Sequence, residues 1–136
     1  GHVALAGTFG YELDVTKIPE EDRKMIPEQT KMYHKYHELV REGDYYRIAS
    51  YRENHLYDCW AVASKDRSEV LVTYVHVLST PNAHIFLQGF DPEAVYALEG
   101  TEEKYTGEML MKCGFLVKGF WGDFKSKLYH FVKVTE

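Results

Sequence analysis

The sequence has few cysteines, no long apolar run and no excess of basic residues, and each shortage excludes a class of protein. Two cysteines, Cys59 and Cys113, are too few for a disulfide framework; they could pair, but free buried thiols in a reducing compartment are favoured. No apolar run reaches membrane-spanning length and no stretch resembles a signal peptide. The formal net charge is −5, without the basic stripe that nucleic-acid binders need. We therefore predict a cytoplasmic protein with neither nucleic acid nor membrane as a partner.

Motifs for bound phosphates and metals are also missing. No glycine-rich loop has the spacing of a phosphate site, and no Walker-type Gly-Lys-Ser/Thr occurs. In "HKYHE", His34 shares a helical face with His37 or Glu38 at a spacing that suits a metal. A structural metal site usually needs four ligands, and His84 and His130 are too scattered to complete one. We predict no cofactor and no metal.

Aromatic residues and alternating patterns are abundant. The 136 residues include 11 Tyr, 7 Phe and 2 Trp, a composition that favours strands and half-buried or interface positions. The length suits one domain, or a small domain with a piece of a neighbour, and is sufficient to bury a core. The chain is therefore expected to be globular and rich in β-structure.

The first 43 residues predict a strand and a helix. Residues 2–9 are apolar and predict a buried strand. Pro19 followed by three acidic residues predicts a helix start, and Pro27 is expected to interrupt this helix. Gly43 is the expected end of the helix. An apolar stripe runs along the second part, at Met32, Tyr33, Tyr36, Leu39 and Val40.

After Gly43 the period changes to alternation. The segments 44–50, 58–64, 70–78 and 124–134 are predicted strands, with the second and third forming a hairpin. Further predicted strands lie within 84–90 and 91–100, and 106–117 is ambiguous between a helical turn and a strand. In the last strand Leu128, His130 and Val132 lie on one face. The predicted fold class is mainly β, an antiparallel β-sandwich preceded by a strand–helix segment.

Two short stretches contain candidate site residues. Glu12 and Asp14 lie two residues apart on an extended segment, roughly 7 Å apart on one face, which suits a glycosidase carboxylate pair. The favoured alternative is that they bond backbone amides at the turn before the helix. Neither cysteine has the neighbouring base of a nucleophile. Phe120 and Trp121, in "GFWGDF", are candidates for contact with a sugar or a protein interface, or fold back on the core.

The order of several motifs resembles family 36 of the glycoside hydrolases, the α-galactosidases. "GTFGYELDVT" is similar to a segment near the end of that family's catalytic barrel, and Gln29, the Tyr33–Lys35 stretch and the Trp60 strand follow in the family's order. Pro27, Phe90 and Phe115 depart from the pattern. The remaining matches are "GDYYRI", "LQGFDPEAVYALEG", "YTGEMLMKCG" and "GDFKSKLYHF". They cover nearly the whole chain.

The resemblance implies the C-terminal piece of a longer enzyme. Residues 1–43 would be the last strand–helix unit of a (β/α)₈ barrel, and residues 44–136 a C-terminal antiparallel β-sandwich. The parent would be a retaining α-galactosidase that uses two aspartates on substrates such as raffinose and melibiose. The Lys-Trp-Asp-x-Asn-Arg motif of the nucleophile is absent here, so no catalytic residue carries over and this chain alone is expected to be inactive. The expected partners are the parent's catalytic barrel and the α-galactoside at its active site. A carbohydrate-binding module and a homo-oligomer contact remain alternatives.

Overall fold

The alternating segments after Gly43 form short antiparallel strands in the computed structural model, which describes residues 1–79, 81–118 and 121–135. The helices are α1 (Glu20–Glu42) and α2 (Tyr51–Asn54). The strands are β1 (Asp44–Ala49), β2 (Tyr57–Ala63), β3 (Glu69–His76), β4 (Ala83–Ile85), β5 (Val95–Leu98), β6 (Lys104–Thr106), β7 (Phe115–Val117) and β8 (Lys125–Lys133).

The strands form one large sheet and one small one. The six-stranded sheet has the order β1-β2-β3-β8-β5-β6, and β4 pairs with β7 in a two-stranded sheet. Every pairing is antiparallel, and β2 and β3 form the predicted hairpin, with Trp60 opposite Thr73. The expected mainly β, antiparallel fold is therefore confirmed.

The centre of the large sheet is buried on both faces, and β3 shows this directly. Val70, Val72 and Tyr74 belong to a core shared with the small sheet, whereas Leu71 belongs to a second core against α1. Successive side chains of a strand point to opposite faces, so a central strand covered on both sides must be apolar at nearly every position. The run "VLVTYVHVL" meets this requirement.

Strand β8 has the predicted alternation. Phe131 lies opposite Val70 and is fully buried in the larger core, with Tyr129 packed against that core. Leu128 and His130 lie on the α1 side of the sheet, where His130 is opposite Leu71. The two cores therefore share β3 and β8 as a common wall.

The prediction of a strand over residues 2–9 is wrong. Ala4–Ala6 form a short 3₁₀ turn, and the rest of this segment is irregular. A strand needs a neighbour to satisfy its backbone groups, and none of the described strands pairs with this segment. The segment instead lies along α1, where Leu5 is buried and the ring of Phe9 stacks on that of Tyr33 at 5.6 Å.

The predicted interruption at Pro27 is also wrong, because α1 is one helix from Glu20 to Glu42. A proline ring removes a single backbone donor and strains the preceding turn. The helix continues because its later turns are held by tertiary packing, with Tyr36 and Leu39 buried against the sheet.

The segment 84–90 forms a shorter strand than predicted, since β4 ends at Ile85. Beyond it, the Leu87 N–H donates to the carbonyl of Leu110 at 3.1 Å, so the chain bonds to a helical turn rather than to a strand. The ambiguous segment 106–117 contains both alternatives, a π-helical turn over Met109–Cys113 followed by β7.

We expect Gly43→Ala to destabilise the fold by about 1–3 kcal/mol through overpacking. A Cβ at this position would lie 2.6 Å from the Leu39 carbonyl oxygen, 2.6 Å from Val62 Cγ1 and 2.7 Å from the Ala63 carbonyl oxygen. Gly10→Ala is the matched control, because nothing lies within 4 Å of its added Cβ. Urea unfolding of both variants checks this, and equal losses would contradict the close-approach role of Gly43.

Candidate functional site

Asp14 and Glu12 lie in different surroundings, since Asp14 is bonded within a turn and Glu12 is exposed. Asp14 Oδ1 accepts hydrogen bonds from the Thr16 N–H at 3.0 Å and the Thr16 hydroxyl at 2.6 Å, and Lys17 lies 3.4 Å from its other oxygen. These hydrogen bonds from Thr16 lower the pKa of Asp14. Glu12 is exposed. Asp14 therefore has the turn-capping geometry that the sequence favoured.

The helical histidines and the cysteines form no reactive cluster. His37 Nδ1 lies 3.1 Å from the carbonyl oxygen of His34, a contact within the helix. No group of three His, Cys, Asp or Glu side chains able to hold a metal occurs within residues 1–79, 81–118 and 121–135. Both cysteines are free. Cys59 is buried, as predicted, and burial raises its pKa to about 12. Cys113 is exposed, so the prediction of a buried thiol is wrong for this residue. Cys59 thus has the environment of a core residue.

Trp121 lies on a loop that the rest of the domain holds in place. Its side chain is 85% exposed and that of Phe124 is 80% exposed. His76 Nε2 lies 2.7 Å from the carbonyl oxygen of Gly122, which fixes the loop to β3. Phe120, the other predicted contact residue, lies outside the described residues. Trp121 therefore does not fold back on the core.

The second, smaller core of the domain is the seam between α1 and the sheet. Tyr36 and Leu39 of α1, both about nine-tenths buried, form a cluster with Val62 of β2 and Leu71 of β3. The partly buried members of this cluster are Met32, Val40 and Leu128. The apolar stripe predicted on the helix therefore docks on the sheet, except that Tyr33 faces Phe9 on another side of α1.

A histidine with two carboxylate partners lies beside this cluster. His130 of β8 is buried, with Nε2 2.8 Å from Glu69 Oε2 and Nδ1 3.1 Å from Glu99 Oε2. Ionised carboxylates only accept hydrogen bonds, so both contacts are hydrogen bonds when both ring nitrogens carry a proton. Such charge-assisted bonds are stronger than neutral ones. His130 thereby ties β8 to β3 and to the residue that follows β5.

Helix α1 joins the same network through Lys35 and Tyr36. The Lys35 ammonium donates to Glu99 Oε2, and the Tyr36 hydroxyl lies 3.4 Å from the same oxygen. The Tyr36 ring packs edge-on against the His130 ring, with centroids 5.2 Å apart. The hydrogen bond from Lys35 is the main cause that lowers the pKa of Glu99, and the same bond raises the pKa of Lys35. One carboxylate thus joins the helix to the sheet.

His130 was not included in any site predicted from the sequence, because it lies far along the chain from the candidate metal ligands. The alternation of β8 placed it on the same face as Leu128, which is the face that α1 covers. No sequence signal showed that α1 would cross at this point and bring Lys35 and Tyr36 to Glu99. Three of the network's contacts join residues more than 60 positions apart, and the contact between His130 and Glu99 joins residues 31 positions apart.

Comparisons with known proteins identify the chain. Residues 57–131 match the glycosyl hydrolase family 36 C-terminal domain, and residues 1–43 match the family described as melibiase. The chain belongs to glycosyl hydrolase family 36. The whole of the family 36 chain aligns with α-galactosidase AgaA of Geobacillus stearothermophilus at 37% identity. An alignment that covers 99% of the chain gives 34% identity to an α-galactosidase of Lactobacillus acidophilus. The chain spans 19% of the length of each of these enzymes.

Solved structures of this family have the same fold. A structure of an AgaA variant in complex with raffinose superposes on 98% of the family 36 chain with a TM-score of 0.90, at 36% identity. The matched part is 19% of that crystal structure's chain. Among the residues described, no helix is both long and apolar enough to cross a membrane.

We expect Tyr36→Ala to lower the free energy of unfolding by about 2–4 kcal/mol, because it empties the centre of the seam. Tyr45→Ala is the control, since Tyr45 is an exposed tyrosine on β1. Urea unfolding with tryptophan fluorescence measures both variants. A loss below about 0.5 kcal/mol for Tyr36→Ala would show that α1 does not depend on this contact.

We expect Glu99→Gln to remove part of the pH dependence of stability. The pKa of Glu99 is lower in the folded chain, so its contribution is present above the unfolded pKa and is lost as pH falls through the folded one. The stability difference between parent and variant is therefore largest near neutral pH and shrinks in acid. Urea unfolding across acid to neutral pH measures it, with Glu12→Gln, an exposed glutamate, as the control. A difference that does not vary with pH would contradict this role of Glu99.

Proposed function

We propose that the chain is the C-terminal accessory region of a retaining α-galactosidase that removes terminal α-galactosides of the raffinose and melibiose type. Its family membership and its similarity, along its own length, to a part of known α-galactosidases support this proposal. The observation that carries it is the seam, in which α1 is fixed to the sheet by both apolar packing and the Glu99 network. A helix held in this way is suited to join a neighbouring domain to the sandwich.

The proposal divides the chain at the start of β1. Residues 1–43 belong to the last strand–helix unit of the parent's (β/α)₈ barrel, in which residues 2–9 would form a strand beside the preceding one, and residues 44–136 are the C-terminal antiparallel sandwich. The two family matches, over 1–43 and 57–131, support this division. Residues 2–9 have no strand partner among the described residues, and the preceding strands of a barrel would supply one. The catalytic barrel is therefore the proposed partner.

Catalysis resides in the parent's two aspartates rather than in this chain. A retaining glycosidase needs two carboxyl groups about 5–5.5 Å apart, one as nucleophile and one as acid and base. Asp14 is engaged with Thr16, and Glu69 and Glu99 both contact His130. These carboxylates serve the fold, so the chain contributes stability and orientation to an enzyme that we place in the cytoplasm.

A second candidate function is contact between subunits through the loop at Trp121. The observation that favours it is the exposure of Trp121 and Phe124 on a loop anchored by His76. Exposed aromatic patches commonly mark interfaces. This surface lies outside the α1 seam, so both roles are compatible in one protein.

Hydrolysis of a chromogenic α-galactoside tests the accessory role. We expect no turnover by the 136-residue chain at high concentration, with AgaA as the positive control. In a full-length enzyme that contains this segment, Tyr36→Ala should shorten the half-life of activity on heating and leave KM unchanged, because the seam acts through stability.

The opposite results would reject the proposal. Turnover by the chain that is lost in Glu12→Gln or Asp14→Asn would show that it has its own catalytic pair. A change in KM without a change in half-life for Tyr36→Ala would show that the seam contacts the substrate site. Tyr45→Ala in the same enzyme is the matched control.

A further inference from the structure

A cleft of about 420 Å³ opens between the two sheets, on the side of the large sheet away from α1. Residues from β4, β7 and β8 and from the segment around β6 line it. Pockets that bind small ligands are commonly about 300–1,000 Å³ and combine aromatic walls with a few polar groups. The size of this cleft is therefore compatible with a small ligand.

Three aromatic rings form one wall of the cleft. Phe115 packs edge-on against Tyr105, with centroids 5.7 Å apart, and against Tyr129, with centroids 4.9 Å apart. Burial raises the pKa of Tyr129 and is the main cause that raises that of Tyr105 to about 12, so both hydroxyls remain protonated donors. The wall thus offers aromatic ring surface, with Phe115 buried behind the partly exposed Tyr105 and Tyr129.

A carboxylate and an ammonium group lie side by side in the lining. The Tyr105 hydroxyl donates to Glu103 Oε2 at 2.8 Å, and Lys118 Nζ donates to Glu103 Oε1 at 3.3 Å. An ionised carboxylate has about four acceptor positions and an ammonium has three donors. The pair therefore retains acceptor and donor capacity beyond these two contacts, and its charges balance.

Gly114 lines the cleft in a backbone conformation that favours glycine. This residue has a φ of +86°, and a Cβ here would lie 3.1 Å from His84 Nε2, also in the lining. Met109 and Leu116 line the cleft with exposed apolar side chains. The site therefore combines apolar surface with paired polar groups.

This combination suits a pyranose. A hexose has a C–H face that packs on apolar and aromatic surface, and adjacent hydroxyls that both donate and accept hydrogen bonds. We propose that the cleft binds one neutral hexose unit of an oligosaccharide, with its hydroxyls on Glu103 and Lys118 and its C–H face on the aromatic wall. The choice of a sugar rests on the proposed function. The proposed sugar site is therefore this cleft and not Trp121, which the sequence analysis named as a candidate for sugar contact.

Raffinose titration of the ¹⁵N-labelled 136-residue chain, followed by amide NMR, tests the proposal. We expect raffinose to shift the amides of Glu103, Tyr105 and Gly114. Glu103→Gln and Lys118→Met should each weaken binding about tenfold, the size of one lost charge-assisted hydrogen bond. Lys112→Met is the matched control, because Lys112 is equally exposed and also paired to a glutamate, Glu108.

Several results would overturn the proposal. These are an absence of shifts, shifts centred on the Trp121 indole and lost in Trp121→Ala, or equal shifts with mannitol, which has no pyranose ring. Tighter binding of inorganic phosphate to the same amides would also overturn it, because Lys118 and Lys127 both line the cleft. The chain lacks the parent's catalytic aspartates, so none of these outcomes affects the accessory role, which the hydrolysis experiment tests separately.

Discussion

The burial of the central strands of the six-stranded sheet on both faces is the constraint on which the rest of the structure depends. One face is covered by the small β4–β7 sheet and the other by α1. Neither cover is held by strand pairing to the large sheet, so each is held by side chains. Apolar burial is favourable but non-directional, so it brings the layers together without fixing how they are oriented. Directional contacts must supply the orientation.

The Glu99 network supplies this direction on the α1 side. An exposed ion pair such as Lys35 with Glu99 contributes little stability by itself. Its importance is geometric, because Glu99 also receives His130, which in turn contacts Glu69. Lys35 and Tyr36 of α1 both reach Glu99, and the Tyr36 ring packs on that of His130, so the helix is favoured in the position that keeps these contacts. The seam thus combines apolar packing with polar contacts that fix the position of α1 on the sheet.

Sequence reasoning was most successful where local patterns and tertiary burial agree. The β2–β3 hairpin and the alternation of β8 followed from period-two patterns that the two-sided core requires. It failed for residues 2–9, because an apolar stretch forms a strand only where a neighbouring strand exists. It failed at Pro27, because packing of later turns outweighs one lost donor. The Glu99 network and the cleft lining were missed because distant segments create both.

The same division between local and distant contacts applies to α1 itself. The face of α1 around Tyr36 is committed to the sheet, and Tyr33 on another side contacts Phe9 in the segment that precedes the helix. A displacement of the sandwich is therefore transmitted to α1 and, through α1, to the segment before it. In a barrel, the ends of such segments lie where catalytic groups are held. In the accessory role that we propose, the sandwich would act on catalysis by limiting the movement of the barrel's last unit.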